Sequence, residues 1–151
     1  LGPGIAGKIV LDLYAGSGSL GLEALSRGAA RCDFVERDPR VAKVARENLE
    51  ALAGPAKSER GRVHSGAVER WLARGGQALR EYDLVLLDPP YGDPGLAGVL
   101  AAIGRAGALN EGAMVVVERR ADERAEPVDG LVQVRRVVHG DSCLVLLRCA
   151  A

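Results

Sequence analysis

Short apolar runs alternate along this chain with longer mixed stretches, and the spacing of polar positions tells the two apart. Lys8–Leu13, Cys32–Glu36, Arg62–His64, Tyr82–Leu87 and Ala113–Glu118 read as strands, most of them apolar at consecutive positions as in strands buried on both faces. Between them, Leu20–Arg27, Pro39–Leu52, Val68–Arg74 and Leu96–Ala106 have helical spacing. The second helix is the best delimited. Asp38 suits its cap and Pro39 its first turn, Val41, Val44, Ala45 and Leu49 share a face, and Gly54-Pro55 should end it. Strand then helix, repeated, is the βαβ rhythm of a parallel sheet. The last segment breaks that rhythm. Leu131–Val138 and Cys143–Arg148 are β-rich and joined by His139-Gly140-Asp141-Ser142, a hairpin, while the charged stretch Arg119–Pro127 reads as a loop. The expected fold is a Rossmann-like α/β sandwich over residues 1–151: a mostly parallel seven-stranded sheet with a C-terminal antiparallel hairpin.

At 151 residues, 48% of them hydrophobic and 26% charged, the chain has the size of one domain and can bury about two thirds of its surface. No apolar run approaches the roughly 18 residues of a membrane helix, and no secretory signal is visible, so a cytoplasmic monomer is expected. Cys32, Cys143 and Cys149 are odd in number and lack metal-ligand or redox spacing. Reduced, packed thiols and no metal site are the expectation. Twenty basic residues balance twenty acidic ones, too neutral a chain to hold nucleic acid by charge alone. Seventeen of the basic residues are arginine, which serves phosphate recognition and surface ion pairs equally. Arg119, Arg120, Arg135 and Arg136 are read as a solvated charge run. The opening Leu1-Gly2-Pro3-Gly4 lacks a methionine and suggests part of a longer protein.

Two features carry chemistry. The strand ending at Leu87 runs into Asp88-Pro89-Pro90-Tyr91, a carboxylate followed by two prolines and an aromatic at the carboxyl edge of the sheet, where open α/β folds bind ligands. The prolines keep the backbone extended and leave carbonyls free to accept, so a planar amine would meet acceptors here. Asp-Pro-Pro also suits an ordinary turn, but Tyr91 has no turn role and points to function. The other feature is Asp12-Leu13-Tyr14-Ala15-Gly16-Ser17-Gly18-Ser19-Leu20-Gly21, a G-x-G-x-x-G loop between the first strand and first helix, with Glu36 ending the second strand where it can accept ribose hydroxyls. This pattern suits a nicotinamide dinucleotide or an adenosyl cofactor. Asp12 favours the latter, because a carboxylate beside the helix start would repel a pyrophosphate but suits an ammonium group. His64-Ser65-Gly66-Ala67 would border an adenine.

Together these residues resemble the Asp-Pro-Pro-Tyr class of S-adenosylmethionine-dependent N-methyltransferases, and more closely the RsmD-type bacterial enzymes that methylate the N2 amine of a guanine in 16S ribosomal RNA. The resemblance rests on Leu11–Ala29, on Phe34-Val35-Glu36-Arg37-Asp38, on Asp88-Pro89-Pro90-Tyr91 and on the Val138–Ser142 hairpin. It implies S-adenosylmethionine held by Asp12, Tyr14, Ala15, Gly16, Ser17, Gly18, Leu20, Glu36, Arg37, Gly66 and Ala67. It also implies direct transfer at Asp88, Pro89, Pro90 and Tyr91, with 16S RNA or a small-subunit particle as partner and no metal. Acceptors at Asp88 and the Pro89 carbonyl would orient the amine, and Tyr91 would stack on a base taken out of its helix. The chain departs from the pattern at Gly66, where such enzymes often carry Asn or Asp, and in starting shortly before the glycine loop, without the family's N-terminal extension. Rival readings are an adenine-N6 nucleic-acid methyltransferase, a nicotinamide-dependent oxidoreductase and a non-catalytic binding module. His64, His139, Trp71, Ser17 and Ser19 are assigned no catalytic role.

Overall fold

The computed structural model describes residues 3–74, 78–105 and 108–150, with side chains left aside at 3, 53–58 and 78. Five strands run parallel: β1 (Ile9–Leu13), β2 (Arg31–Glu36), β3 (Gly61–Ser65), β4 (Leu84–Leu87) and β5 (Met114–Arg120). Strands β6 (Leu131–His139) and β7 (Ser142–Cys149) form the hairpin, turning at Gly140-Asp141, and β7 inserts antiparallel beside β5. The sheet order is β3-β2-β1-β4-β5-β7-β6, so the direction of winding reverses between β1 and β4. That is the point where an open α/β sheet leaves a crevice.

Each parallel strand sends alternate residues to opposite faces, and both faces are covered. Leu11, Leu13, Val85, Leu87, Val115 and Val117 join the core packed by α3 (Val68–Arg74) and α4 (Leu96–Gly104). Val10, Cys32, Phe34, Leu84 and Leu86 pack under α1 (Ser19–Ser26) and α2 (Pro39–Ser58). Helix α1 lies very close to β2. A Cβ on Gly21 would stand 2.3 Å from the Phe34 ring and 2.7 Å from Cys32 Sγ, so the third glycine of the loop serves packing. The three cysteines are free thiols.

Three boundaries expected within the described residues differ by two residues or more. Helix α2 is capped as predicted, Asp38 Oδ1 accepting the Arg40 N–H at 2.9 Å, but it continues through Gly54-Pro55 to Ser58. Alanines at 51, 53 and 56 favour helix, and a proline removes a single backbone donor. On its inner face Ala42, Ala45 and Leu49 are buried while Val44 is exposed; Val41 is half-buried. Strand β4 begins at Leu84 because the Tyr82 N–H closes a 3-10 turn on the Leu79 carbonyl and so stays out of the ladder. Arg119 and Arg120, placed in a loop by the sequence, extend β5 by pairing with Cys143 and Ser142. Ala106, the expected last residue of α4, lies outside the described residues.

Candidate active site

Strand register fixes the site. Leu13 pairs with Val35 and Leu87, and Leu87 with Val117, so the next residues, Glu36, Tyr14, Asp88 and Glu118, stand in one row across the carboxyl ends of β2, β1 and β4 and onto β5, which runs two residues further. Three of the four are carboxylates, with Asp12 two residues below in β1. All four members of the row line a cleft of about 710 Å3, together with Arg37, Asp38, Val68, Glu69, Asp93 and the Pro89-Pro90-Tyr91 corner. The expected cofactor residues Tyr14, Glu36 and Arg37 and the four residues of the Asp-Pro-Pro-Tyr corner are therefore brought together. Ala15, Gly16, Ser17, Gly18 and Leu20 lie on the loop beside the cleft, and Gly66 and Ala67 on the β3–α3 turn; neither group is in its lining.

The glycine loop is built around Glu36. Its Oε1 accepts the Gly16 N–H at 3.1 Å and its Oε2 the Asp38 N–H at 2.7 Å, which holds the carboxylate at the strand end with lone pairs to spare. The Ala15 N–H reaches the Val35 carbonyl at 3.0 Å, and Asn48 of α2 donates to the Ser17 carbonyl at 3.0 Å. Gly16 and Gly18 take φ of 58° and 91°, left-handed values that keep side chains off the loop; a Cβ on Gly16 would meet open space. Tyr14 takes φ 59° without being glycine, a strained backbone of the kind found at ligand sites. Burial, then the Asp93 and Glu69 carboxylates, raises its phenol above the ordinary value.

Asp12 lies beneath the loop, 1% exposed. Its Oδ2 accepts the Gly21 N–H at 3.0 Å, while Oδ1 is buried without a donor among the described residues. Burial pushes its carboxyl up to about 7, against the pull of the Gly21 N–H and with help from Asp88 and Glu36. Asp88 faces the cleft, whose walls raise its carboxyl as well. Pro89 is buried behind it and Tyr91 stands 58% exposed at the rim, with the Arg120 guanidinium 5.8 Å from its ring centre. The Gly66 N–H donates to the Glu36 carbonyl at 2.8 Å, tying the turn after β3 to the strand beside it.

The remaining candidates fall elsewhere. Trp71 packs on the core beside Tyr82, and His64 stands 3.8 Å from Asp33 Oδ1. Burial opposes ionisation of Asp33, but His64 and the Tyr82 hydroxyl that donates to it hold its carboxyl below the ordinary value. Glu118 and Glu69 line the cleft and were not singled out in the sequence. Glu118 closes the apolar run of β5 in the same manner as Glu36 and Asp88 close theirs, a signal present in the sequence, although β5 continues to Arg120.

A cleft lined by carboxylates, with a buried orphan oxygen below and an open glycine cradle, fits a cationic nucleoside and opposes a pyrophosphate. The family model Conserved hypothetical protein 95 matches residues 1–148. The chain belongs to this family, the RsmD type. Among relatives of the family, Bacillus subtilis YlbH is 36% identical over 141 residues, covering 93% of this chain and 75% of the relative. Ribosomal RNA small subunit methyltransferase D of Escherichia coli is 34% identical over 122 residues, 81% of this chain and 58% of that protein. The solved structure of Escherichia coli yhhF superposes with a TM-score of 0.85 at 30% identity, covering 99% of this chain and 81% of that one. Within this RsmD-type family the chain is an S-adenosylmethionine-dependent methyltransferase, and the oxidoreductase reading falls.

Proposed function

We propose that the protein methylates the exocyclic N2 amine of a guanine in 16S ribosomal RNA, free or in a small-subunit particle, acting as a cytoplasmic monomer. The observation that carries the reading is the meeting of Asp88, Pro89, Pro90 and Tyr91 with Glu36 and Tyr14 around one cleft. The RNA substrate is supported by the ribosomal RNA methyltransferase among its relatives. The choice of a guanine amine rests on the resemblance of Leu11–Ala29 and Asp88-Pro89-Pro90-Tyr91 to the RsmD type.

Glu36 would hold the ribose, with Asp12 and the loop from Tyr14 to Leu20 supporting the amino-acid end and Arg37, Gly66 and Ala67 bordering the base. When bound, S-adenosylmethionine supplies an electrophilic methyl group. The guanine N2 lone pair is delocalised into its ring, so the amine needs orienting. The Asp88 carboxylate and Pro89 carbonyl accept its two hydrogens, favour a more tetrahedral nitrogen and aim the lone pair across the cleft. Positioning of this kind is worth up to roughly 7–11 kcal/mol. Tyr91 offers its exposed ring to the extruded base, a stack worth about 1–3 kcal/mol.

Labelled methyl transfer to unmethylated 16S RNA and to small-subunit particles, with mass spectrometry of the product nucleosides, tests the proposal. N2-methylguanosine is expected; N6-methyladenosine, or no label in either substrate, overturns it. Glu36→Ala is expected to weaken S-adenosylmethionine binding at least about tenfold, the scale of hydrogen bonds to a charged acceptor. Calorimetry giving wild-type affinity would remove Glu36 from the ribose role.

A further inference from the structure

Two carboxylates stand side by side where β4 ends and β5 runs on beside it. Leu87 pairs in parallel with Val117, so Asp88, just past the end of β4, and Glu118, within β5, are neighbours roughly 4.8 Å apart along the sheet. Both line the cleft, and Glu118 also lines a second groove of about 400 Å3 between α4 and the segment after β5. The two cavities meet at the Pro89-Pro90-Tyr91 corner, with the Tyr91 ring at both. The Glu118 side chain is half-buried, and among the described residues its carboxylate makes no hydrogen bond or ion pair. The next residue, Arg119, pairs instead with Glu123 at 3.8 Å. Burial and the Asp88 charge both push the Glu118 carboxyl up, the sign of two acceptors facing one space.

Guanine presents its N1–H and N2–H2 donors next to each other, whereas adenine presents an N1 lone pair beside its amine. A pair of adjacent acceptors matches the first edge and opposes the second. We propose that Glu118 is a specificity-determining residue that accepts the N1–H of the target guanine while Asp88 holds the adjacent amine. This rests on the guanine reading above. Tyr91, at the junction of the two cavities, supplies the plane on which that edge is presented.

The test replaces the target guanosine, at the position mapped by product analysis, with 2-aminopurine, which keeps the N2 amine and lacks N1–H. Wild-type protein is expected to favour guanosine about ten- to hundredfold in kcat/KM, the scale of one hydrogen bond to a charged acceptor. In Glu118→Gln, whose amide can accept from N1–H or donate to a bare N1, and in Glu118→Ala, that preference should fall at least tenfold. The accompanying loss of O6 in 2-aminopurine affects all three proteins alike, so the change in ratio reports Glu118. Dissociation constants of the two RNAs by fluorescence anisotropy, without cofactor, should shift in the same direction, and unchanged unfolding midpoints would exclude misfolding as the cause. A wild-type ratio in either folded variant overturns the role of Glu118 and leaves guanine methylation standing. N6-methyladenosine as the wild-type product overturns both.

Discussion

Replacing Asp88 by alanine is expected to abolish methyl transfer, by at least about a thousandfold in kcat, while affinity for S-adenosylmethionine stays within a few fold. The reasoning is local. Asp88 extends β4 past Leu87 into the cleft and has no hydrogen-bond or ion-pair partner among the described residues, so its loss frees no buried group and leaves both cores intact. Glu36, by contrast, is bonded into the glycine loop. Asp88→Asn separates two roles for the carboxylate. An orienting acceptor survives in the amide carbonyl and should retain activity within about tenfold, whereas a proton acceptor should fail as badly as alanine. Calorimetry is the control: a tenfold or larger loss of cofactor affinity in Asp88→Ala would show that the residue serves the cofactor.

The second large effect is on stability. Asp12 has a folded pKa near 7 against an ordinary value of 3.8, so the folded state holds its proton more tightly than the unfolded state does. Stability from this group is greatest at low pH and is lost as pH rises from about 4 through 7, with no further change above. Asp12→Asn removes the titration. Relative to wild type, the variant should gain about 2–3 kcal/mol between pH 5 and pH 8 in denaturant unfolding. Its amide leaves an N–H2 unpaired at Oδ1's position, a pH-independent cost, so the slope of the difference rather than its absolute size is diagnostic. Parallel pH profiles would show that Asp12 is not strained by burial. A chain that tolerates such a carboxylate under its glycine loop gives up stability at neutral pH for a negative charge held below the cleft.

Much of this architecture was legible in the sequence, because parallel strands buried on both faces are apolar at consecutive positions and end abruptly in polar residues. Leu87-Asp88 and Val35-Glu36 are such ends, which made the corner and the ribose acid readable. Val117-Glu118 ends an apolar run in the same way, although β5 itself continues to Arg120. Its meaning depends on β4 and β5 being neighbours, and adjacency belongs to sheet order rather than to local pattern. The burial of Asp12 was hidden for a related reason: a lone acid in a strand looks like a solvent-facing position until both faces are known to be covered. Val44 and the run of α2 beyond Pro55 were misread where helical spacing and helix-breaking residues are weak guides. Tyr82 belongs to the turn before β4 and gives its hydroxyl to Asp33 in β2, across the intervening β1, a long-range pairing that no local spacing announces.

The row of acids across β2, β4 and β5, with Asp12 beneath, has a consequence for turnover. The methyl donor carries a positive sulfonium, and its spent form, S-adenosylhomocysteine, has a neutral thioether. A negatively lined cleft attracts the first more than the second, so affinity should drop at the moment the methyl group leaves. The same charges that load the enzyme thereby favour its emptying, and product inhibition should grow, relative to substrate affinity, in variants that lose a carboxylate of the row.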